Sequence, residues 1–260
     1  LIEKSKSSLK NNQFAQASAI SGDEKLAATA LGRRVSELYI YPITSNNIIT
    51  SLGRIRSPTP FALLHLMCRC LEARPLLSVK KGDVQVIEEV LKKEGPNLAG
   101  RLPDEWDVDY EDYIASVKTA LFFNSWVEEN GEDSILEKFN VAPGELRARL
   151  DIADWLFYSM GELALLVGFQ EMLKHIRKLR IRLEYGIKEE LLPLIKLKGV
   201  GRVRARLLYN SNIRDLGDLR KIPVESLARL VGQKTAENLK DQVLVSVDAS
   251  KPLTLAFSGA

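Results

Sequence analysis

Two glycines one residue apart constrain this chain more than any other feature. In Leu197-Lys-Gly-Val-Gly-Arg-Val-Arg-Ala-Arg-Leu-Leu-Tyr-Asn210 a tight turn on Gly199 and Gly201 opens directly into an apolar-periodic helix. Unpaired backbone N–H groups at such a helix start form an anion site, and glycine lets a phosphate approach the backbone closely. Arg202, Arg204 and Arg206 surround the turn and would add salt-sensitive contacts to neighbouring phosphates. The pattern describes a helix-hairpin-helix grip on a nucleic-acid backbone. A glycine turn joining two packed helices, with its arginines in solvent, would show the same local pattern.

Charge distribution bears on that choice. Residues 172–240 hold 17 Lys and Arg against 7 Asp and Glu, a local net of +10, whereas the other residues hold 20 against 27, a net of −7. The overall net of +3 therefore conceals one basic end, which points to a polyanionic partner. A membrane surface would satisfy the same charge, but neither a long apolar anchor nor a basic amphipathic helix with an aromatic face supports it.

With 260 residues and 45% hydrophobic content the chain can bury a real core, and its length suggests two or three domains. Cys68 and Cys70 lie two apart on an expected helix and point in different directions, so they do not pair. A reduced, cytoplasmic setting follows, and His65 and His175 are too far apart in sequence to suggest zinc. No secretory signal is evident, and a start at Leu1 suggests a fragment of something larger.

Periodicity divides the chain into three parts and a tail. Residues 1–56 read as a polar helix ending near Phe14, a Gln16–Ile20 strand, a Ser21-Gly22-Asp23 turn, a Leu26–Thr29 strand and a helix over Leu31–Tyr39. This is the latter half of a winged helix, truncated at its N-terminus. Residues 57–182 read as an acidic helical bundle with elements at Phe61–Glu72, Val84–Lys93, Tyr110–Glu129, Ser134–Phe139 and Gly144–Val167, then a long basic helix over Glu171–Tyr185. Residues 183–245 form a helix-hairpin-helix domain with a second, weaker hairpin at Pro223–Leu239 around Gly232, and 246–260 a tail. The expected fold class is mainly α.

At about 100° per residue, Leu146, Leu150, Ala153, Phe157, Met160 and Ala164 form a core stripe, with Ile152, Leu156 and Leu163 as a second apolar flank. Trp155 falls on the remaining face with Ala148, Ser159 and Glu162. It is either a stacking platform for an unpaired base or a packing contact with a neighbouring domain. Arg147 and Arg149 begin the same helix, where they either track a backbone or are solvated.

Catalytic chemistry finds no foothold. There is no Gly-Lys-Thr phosphate loop, no histidine-based nucleophile pair and no clustered carboxylates with metal-ligand spacing. The run Asp104, Glu105, Asp107 and Asp109 around Trp106 reads as a solvated connection. No catalytic residue, metal site or cofactor is expected.

Tyr185–Asn210, with its Leu-Lys-Gly-Val-Gly-Arg-Val-Arg-Ala-Arg core, resembles the last domain of the archaeal Ski-like superfamily-two DNA helicases that act at stalled replication forks. The segments Leu31–Thr44, Leu63–Cys68, Val117–Leu121 and Ala142–Leu146 with Asp154-Trp-Leu156 follow in the order that family shows. The resemblance implies the C-terminal region of an ATP-dependent 3′ to 5′ helicase whose motor domains, with their ATP and magnesium, lie upstream. The chain alone would then be inactive. It further implies that the winged helix packs on the motor, that the bundle is a ratchet domain closing a ring around one strand, and that Trp155 stacks on bases. The last domain would grip the emerging strand and restrain the motor, its Arg-Ala-Arg signature matching Arg204-Ala205-Arg206. Ala148 stands where that family leads one to expect an arginine, and Asn212 where a glycine commonly follows, which asparagine tolerates in the left-handed region.

The implied partners are single-stranded and forked DNA and the parent's own motor, with the chain a monomer. Two rivals remain at this point. The tail Lys251–Phe257 loosely resembles a peptide that docks on a sliding clamp, although it lacks the usual glutamine and paired aromatics. A structure-selective nuclease module would also carry tandem hairpins, but this chain has no acidic metal motif for it.

Overall fold

The computed structural model describes residues 2–4, 26–98 and 100–248, and for 2–4, 26–27 and 244–248 the backbone alone. It is mainly α-helical. Two compact units, Leu1–Glu184 and Tyr185–Ala260, each have their own hydrophobic core.

In the first unit, strand β1 (Ile2–Lys4) pairs antiparallel with β2 (Leu26–Ala28) in the register Ile2↔Ala28. The expected helix up to Phe14, the Gln16–Ile20 strand and the turn at Ser21–Asp23 lie outside the described residues, apart from the extended segment β1. The Leu26 strand is therefore present, but its partner is Ile2–Lys4. An extended apolar pattern reports strand character and cannot name a non-local partner.

Helices α1 (Ala30–Glu37), α2 (Pro42–Arg54) and α3 (Pro60–Cys68) follow. Thr29 and Thr59 cap α1 and α3 by accepting the N–H of Gly32 and Ala62, and Pro42 and Pro60 occupy the first turn where a missing N–H costs nothing. Beyond them come α4 (Val84–Glu94), α5 (Tyr110–Val127), α6 (Glu132–Phe139), α7 (Pro143–Leu166) and α8 (Gln170–Tyr185). Each lies within a few residues of its sequence-expected span. Helix α2 carries no such expectation, because Thr44, Ser45, Asn46 and Asn47 are weak helix formers. Its Ile48 and Leu52 are buried, and that burial holds it.

One continuous core runs from Leu31 to Leu183, so residues on both sides of position 56 pack together. At its centre are α5 and α7, with Phe122, Phe157, Leu156, Met160 and Leu163 fully buried. Lys118, 4% exposed, donates to Asp83 Oδ2 (2.6 Å) and to the Ser78 carbonyl (2.8 Å), so this buried charge is paired and hydrogen-bonded. Cys68 and Cys70 are free and buried, and burial pushes both thiols up.

The second unit contains a short helix α9 (Leu192–Ile195), then α10 (Arg202–Asn210), α11 (Leu216–Lys221), α12 (Val224–Val231) and α13 (Gln233–Asp248). Its core includes Leu191, Leu194, Val200, Leu208, Leu227 and Leu239. Asn212 has φ 63°, the left-handed conformation its side chain tolerates.

His65 couples this fold to pH. Its Nε2 lies 3.0 Å from Ser116 Oγ, whose hydroxyl donates to the Tyr113 carbonyl, so Nε2 carries the proton and donates to Ser116. Nδ1 is buried without a partner. Protonating it would place an unpaired N–H and a charge in the core, and burial, with nearby Arg69, lowers the pKa from 6.5 to about 3. Because the folded value lies below the unfolded one, this stabilisation is complete above pH 6.5 and is lost as pH falls towards 3. His65→Gln should flatten the stability-versus-pH slope between pH 5 and 6.5 by up to about 1.4 kcal/mol per pH unit. Urea melts across that window check this, and an unchanged slope would mean that His65 takes up a proton while folded.

Candidate nucleic-acid interface

Two surfaces carry the residues singled out by sequence, one in each unit. In the second, the chain leaves α9, turns through Gly199 at φ +84°, and enters α10 from Gly201. The positive φ at Gly199 disfavours any side chain, whereas Gly201 sits at φ −100°, ψ −175°, extended backbone open to all residues. A Cβ at either glycine would meet open space, so the turn presents bare backbone to solvent. Between them Val200 is buried and pins the turn to the core. No side chain caps α10, whose positive dipole end therefore faces this opening.

The turn is braced from two sides. The N–H of Lys198 donates to Gln242 Oε1 (2.8 Å) and Gln242 Nε2 donates back to the Lys198 carbonyl (3.0 Å), tying the first hairpin to α13 of the second. Arg204 Nη1 donates to the Gly199 carbonyl (2.7 Å), holding the turn shut from the α10 side. Arg206 donates to Glu190 Oε1 (2.9 Å) and lies over the Tyr209 ring, which Arg214 also approaches. Burial raises the Glu190 carboxyl, but the Arg206 hydrogen bond, a backbone hydrogen bond and the charges of Arg206 and Lys188 together outweigh it and leave the group below the usual carboxylate range. Arg202 is half-buried at the helix start, and the neighbouring Val203 is 79% exposed. The second hairpin repeats the geometry: Gly232, at φ 86°, separates α12 from α13, again with open space at its Cβ position.

In the first unit, α7 buries Leu146, Ala153, Phe157, Met160 and Ala164 as its periodicity predicts, while Leu150 is half-buried. Trp155 is half-buried, and its indole N–H donates to the Leu38 carbonyl just after α1 (3.0 Å). Beside it, Arg34 of α1 bonds Glu162 and the Tyr158 hydroxyl, and Arg180 of α8 makes a two-point bond to Asp154 (2.7 and 2.9 Å) while covering Tyr158. The Trp155 edge is thus fixed against the segment preceding the bundle, as the packing reading has it. Ser159 is fully buried and bonds the Trp155 carbonyl, so it does not share an open polar face.

The two arginines at the start of α7 part company. Arg147 has a side chain 77% exposed and holds only a loose contact to Asp151 (3.3 Å). Arg149 is 9% exposed and spends its guanidinium on Glu145 (2.9 and 2.7 Å) and the Pro75 carbonyl (2.7 Å). The expectation that Arg149 contacts DNA meets a competitor: a phosphate would have to draw its guanidinium away from Glu145 and the Pro75 carbonyl. It is an internal strut. The basic run over α8 divides similarly, since Arg182 is buried against Glu128 and the Val127 carbonyl. Residues 185–243, with twelve Lys and Arg against seven Asp and Glu, retain the basic excess on their own.

Sequence reasoning missed Gln242 as a brace and Arg34 as the neighbour of Trp155, because both act across long sequence separations. Lys196 and Lys198, exposed beside the glycine turn, were legible in Lys-Leu-Lys-Gly-Val-Gly and belong to the same surface. Among the described residues no group of three His, Cys, Asp or Glu could hold a metal ion, and no helix is long and apolar enough to cross a membrane.

Residues 61–186 match the family "archaeal helicase, domain 4", and residues 191–243 match the SAM-like helix-hairpin-helix tandem. The chain is 35% identical over 238 residues to an ATP-dependent DNA helicase Hel308 of Pyrococcus abyssi, covering 89% of this chain and 32% of the helicase. The namesake of Pyrobaculum calidifontis is 38% identical over 220 residues, 83% of this chain and 29% of that protein. That of Methanocaldococcus jannaschii is 34% identical over 224 residues, 86% and 18% respectively. The chain thus spans about a third or less of the length of these curated relatives. With a bundle matching domain 4 followed by a helix-hairpin-helix tandem, the chain is similar over most of its own length to the C-terminal region of the archaeal ATP-dependent DNA helicases named Hel308.

Proposed function

We propose that this chain is the DNA-gripping and regulatory region of an ATP-dependent 3′ to 5′ DNA helicase acting at stalled replication forks. ATP and magnesium belong to the motor domains of the parent protein. The observation that carries the reading is the turn at Gly199–Gly201: bare backbone, an uncapped helix start and a basic surround converge on one opening. Relatives named as DNA helicases support it. The strand's phosphates sit against this turn and Gly232, with Lys198, Arg202, Arg204 and Arg206 around the first. On α7, Arg147 supplies a backbone contact and Trp155 offers its exposed ring portion to a base, while its bond to Leu38 fixes the ring's angle. A platform held in this way loses little freedom when a base stacks on it. Arg149 is left out of the contact set.

Binding of a single-stranded oligonucleotide by the whole chain should fall steeply with salt, the slope decreasing by about 0.7 for each phosphate the protein no longer neutralises. Arg202→Ala/Arg206→Ala should lower affinity and flatten that slope, whereas Trp155→Phe should weaken binding without changing it. Fluorescence anisotropy at several salt concentrations measures both, and affinity indifferent to salt would sink the backbone-grip reading.

The glycines separate folding from binding. Gly199→Ala forces a side chain into a left-handed backbone and should cost about 1 kcal/mol of stability together with DNA affinity. Gly201→Ala meets neither strain nor a clash, so its melting temperature should stay near that of the parent chain while affinity drops about tenfold if a phosphate touches the turn. Unaltered binding by Gly201→Ala would place the strand elsewhere.

A further inference from the structure

The first unit also carries a surface of opposite character. Between α4 and α5 runs a groove of about 840 Å³. Val84, Ile87 and Leu91 line it from α4 at one-turn spacing, Tyr110 and Ile114 face them from α5, and Leu102 closes one side. Ile87 is buried as the floor, while Val84 and Leu102 remain 46% and 40% exposed, so the apolar stripe of α4 is only half covered by its own protein. The loop that brings Leu102 to the groove also holds Trp106, 96% exposed, and Val108, fully exposed. Large side chains left so open beside an apolar groove mark an interaction surface, and tryptophan is the residue most suited to anchor one.

Charge selects the occupant. Glu88, Glu105 and Glu111 line the groove as free carboxylates, Asp112 is spent on Arg74, and Lys92 is the one cation among the described lining residues. Asp104, Asp107 and Asp109 extend the acidic character along the loop. A nucleic-acid strand is repelled here. A segment with leucine-like residues on one face and lysines or arginines flanking them satisfies both stripe and rim, the helix-in-groove mode of recognition. We propose that the α4–α5 groove is a docking site for a basic amphipathic helix of a partner protein. The groove shares no residue with the proposed DNA contacts, and the proposal does not depend on them.

The test uses the whole chain and an 18-residue Leu/Lys peptide with leucines at i, i+3, i+4 and i+7, followed by fluorescence anisotropy, with a Leu/Glu peptide of the same pattern as comparison. Saturable one-to-one binding of the Leu/Lys peptide is expected, about tenfold weaker in Glu88→Lys/Glu111→Lys and in Val84→Ser/Leu102→Ser. Reversing Glu132 and Glu137 to lysine, outside the groove on α6, should leave it unchanged. Equal weakening by that control pair, equal binding of the Leu/Glu peptide, or indifference to Val84→Ser/Leu102→Ser would overturn the proposal. So would sedimentation showing that the unliganded chain is a dimer which Val84→Ser/Leu102→Ser dissolves, since the groove would then hold a second copy. Matching melting curves for all variants exclude unfolding as the cause of lost binding.

Discussion

The burial of a broad apolar face of α7 is the constraint from which the first unit follows. A 24-residue helix that carries Leu146, Ala153, Leu156, Phe157, Met160, Leu163 and Ala164 on one broad face cannot leave that face open; other helices must cover it, while Arg147, Asp151 and Tyr158 stay at the surface. Helix α3 packs on α5, α2 packs on α7, and α1 is fastened to α7 through Arg34 and the carbonyl of Leu38. The last of these contacts reaches Trp155. The residue with the most evident chemical use for a single-strand binder is therefore also part of the fastening between α1 and the bundle. A change there acts on stability and on binding together, and Trp155→Phe, which keeps most of the ring, is a better probe than truncation.

In the second unit the comparable element is small. Gly199 in the left-handed region, Val200 in the core and the paired bonds between Lys198 and Gln242 hold three residues of backbone in one shape. The two hairpins are joined through Gln242, so that a helix of the second braces the turn of the first. A rigid turn binds a phosphate without first losing freedom.

Cations in this chain divide into those spent inside the protein and those left for a partner. Lys118, Arg149 and Arg182 are buried with carboxylates and carbonyls, and Arg34 and Arg180 bridge helices. Arg147 and the lysines at the glycine turn remain exposed. In the linear chain the two classes look alike: Arg147 and Arg149 differ by two positions, which on a helix is about 200°, enough to send one to solvent and the other to the Pro75 carbonyl.

From the sequence alone came the helices over 60–185, the glycine turn, its second copy and the likeness to archaeal helicases, because apolar spacing and turn glycines act over a few residues and are written locally. Helix α2 escaped that reading since its propensity is poor and its burial of Ile48 and Leu52 is what holds it. The partner of strand Leu26–Ala28, the commitment of Arg149, the anchoring of Trp155 on Leu38 and the acidic α4–α5 groove depended on tertiary structure. Each arises when segments many residues apart meet, and no local pattern of hydrophobicity or charge records which distant atoms will supply a donor, an acceptor or a cover.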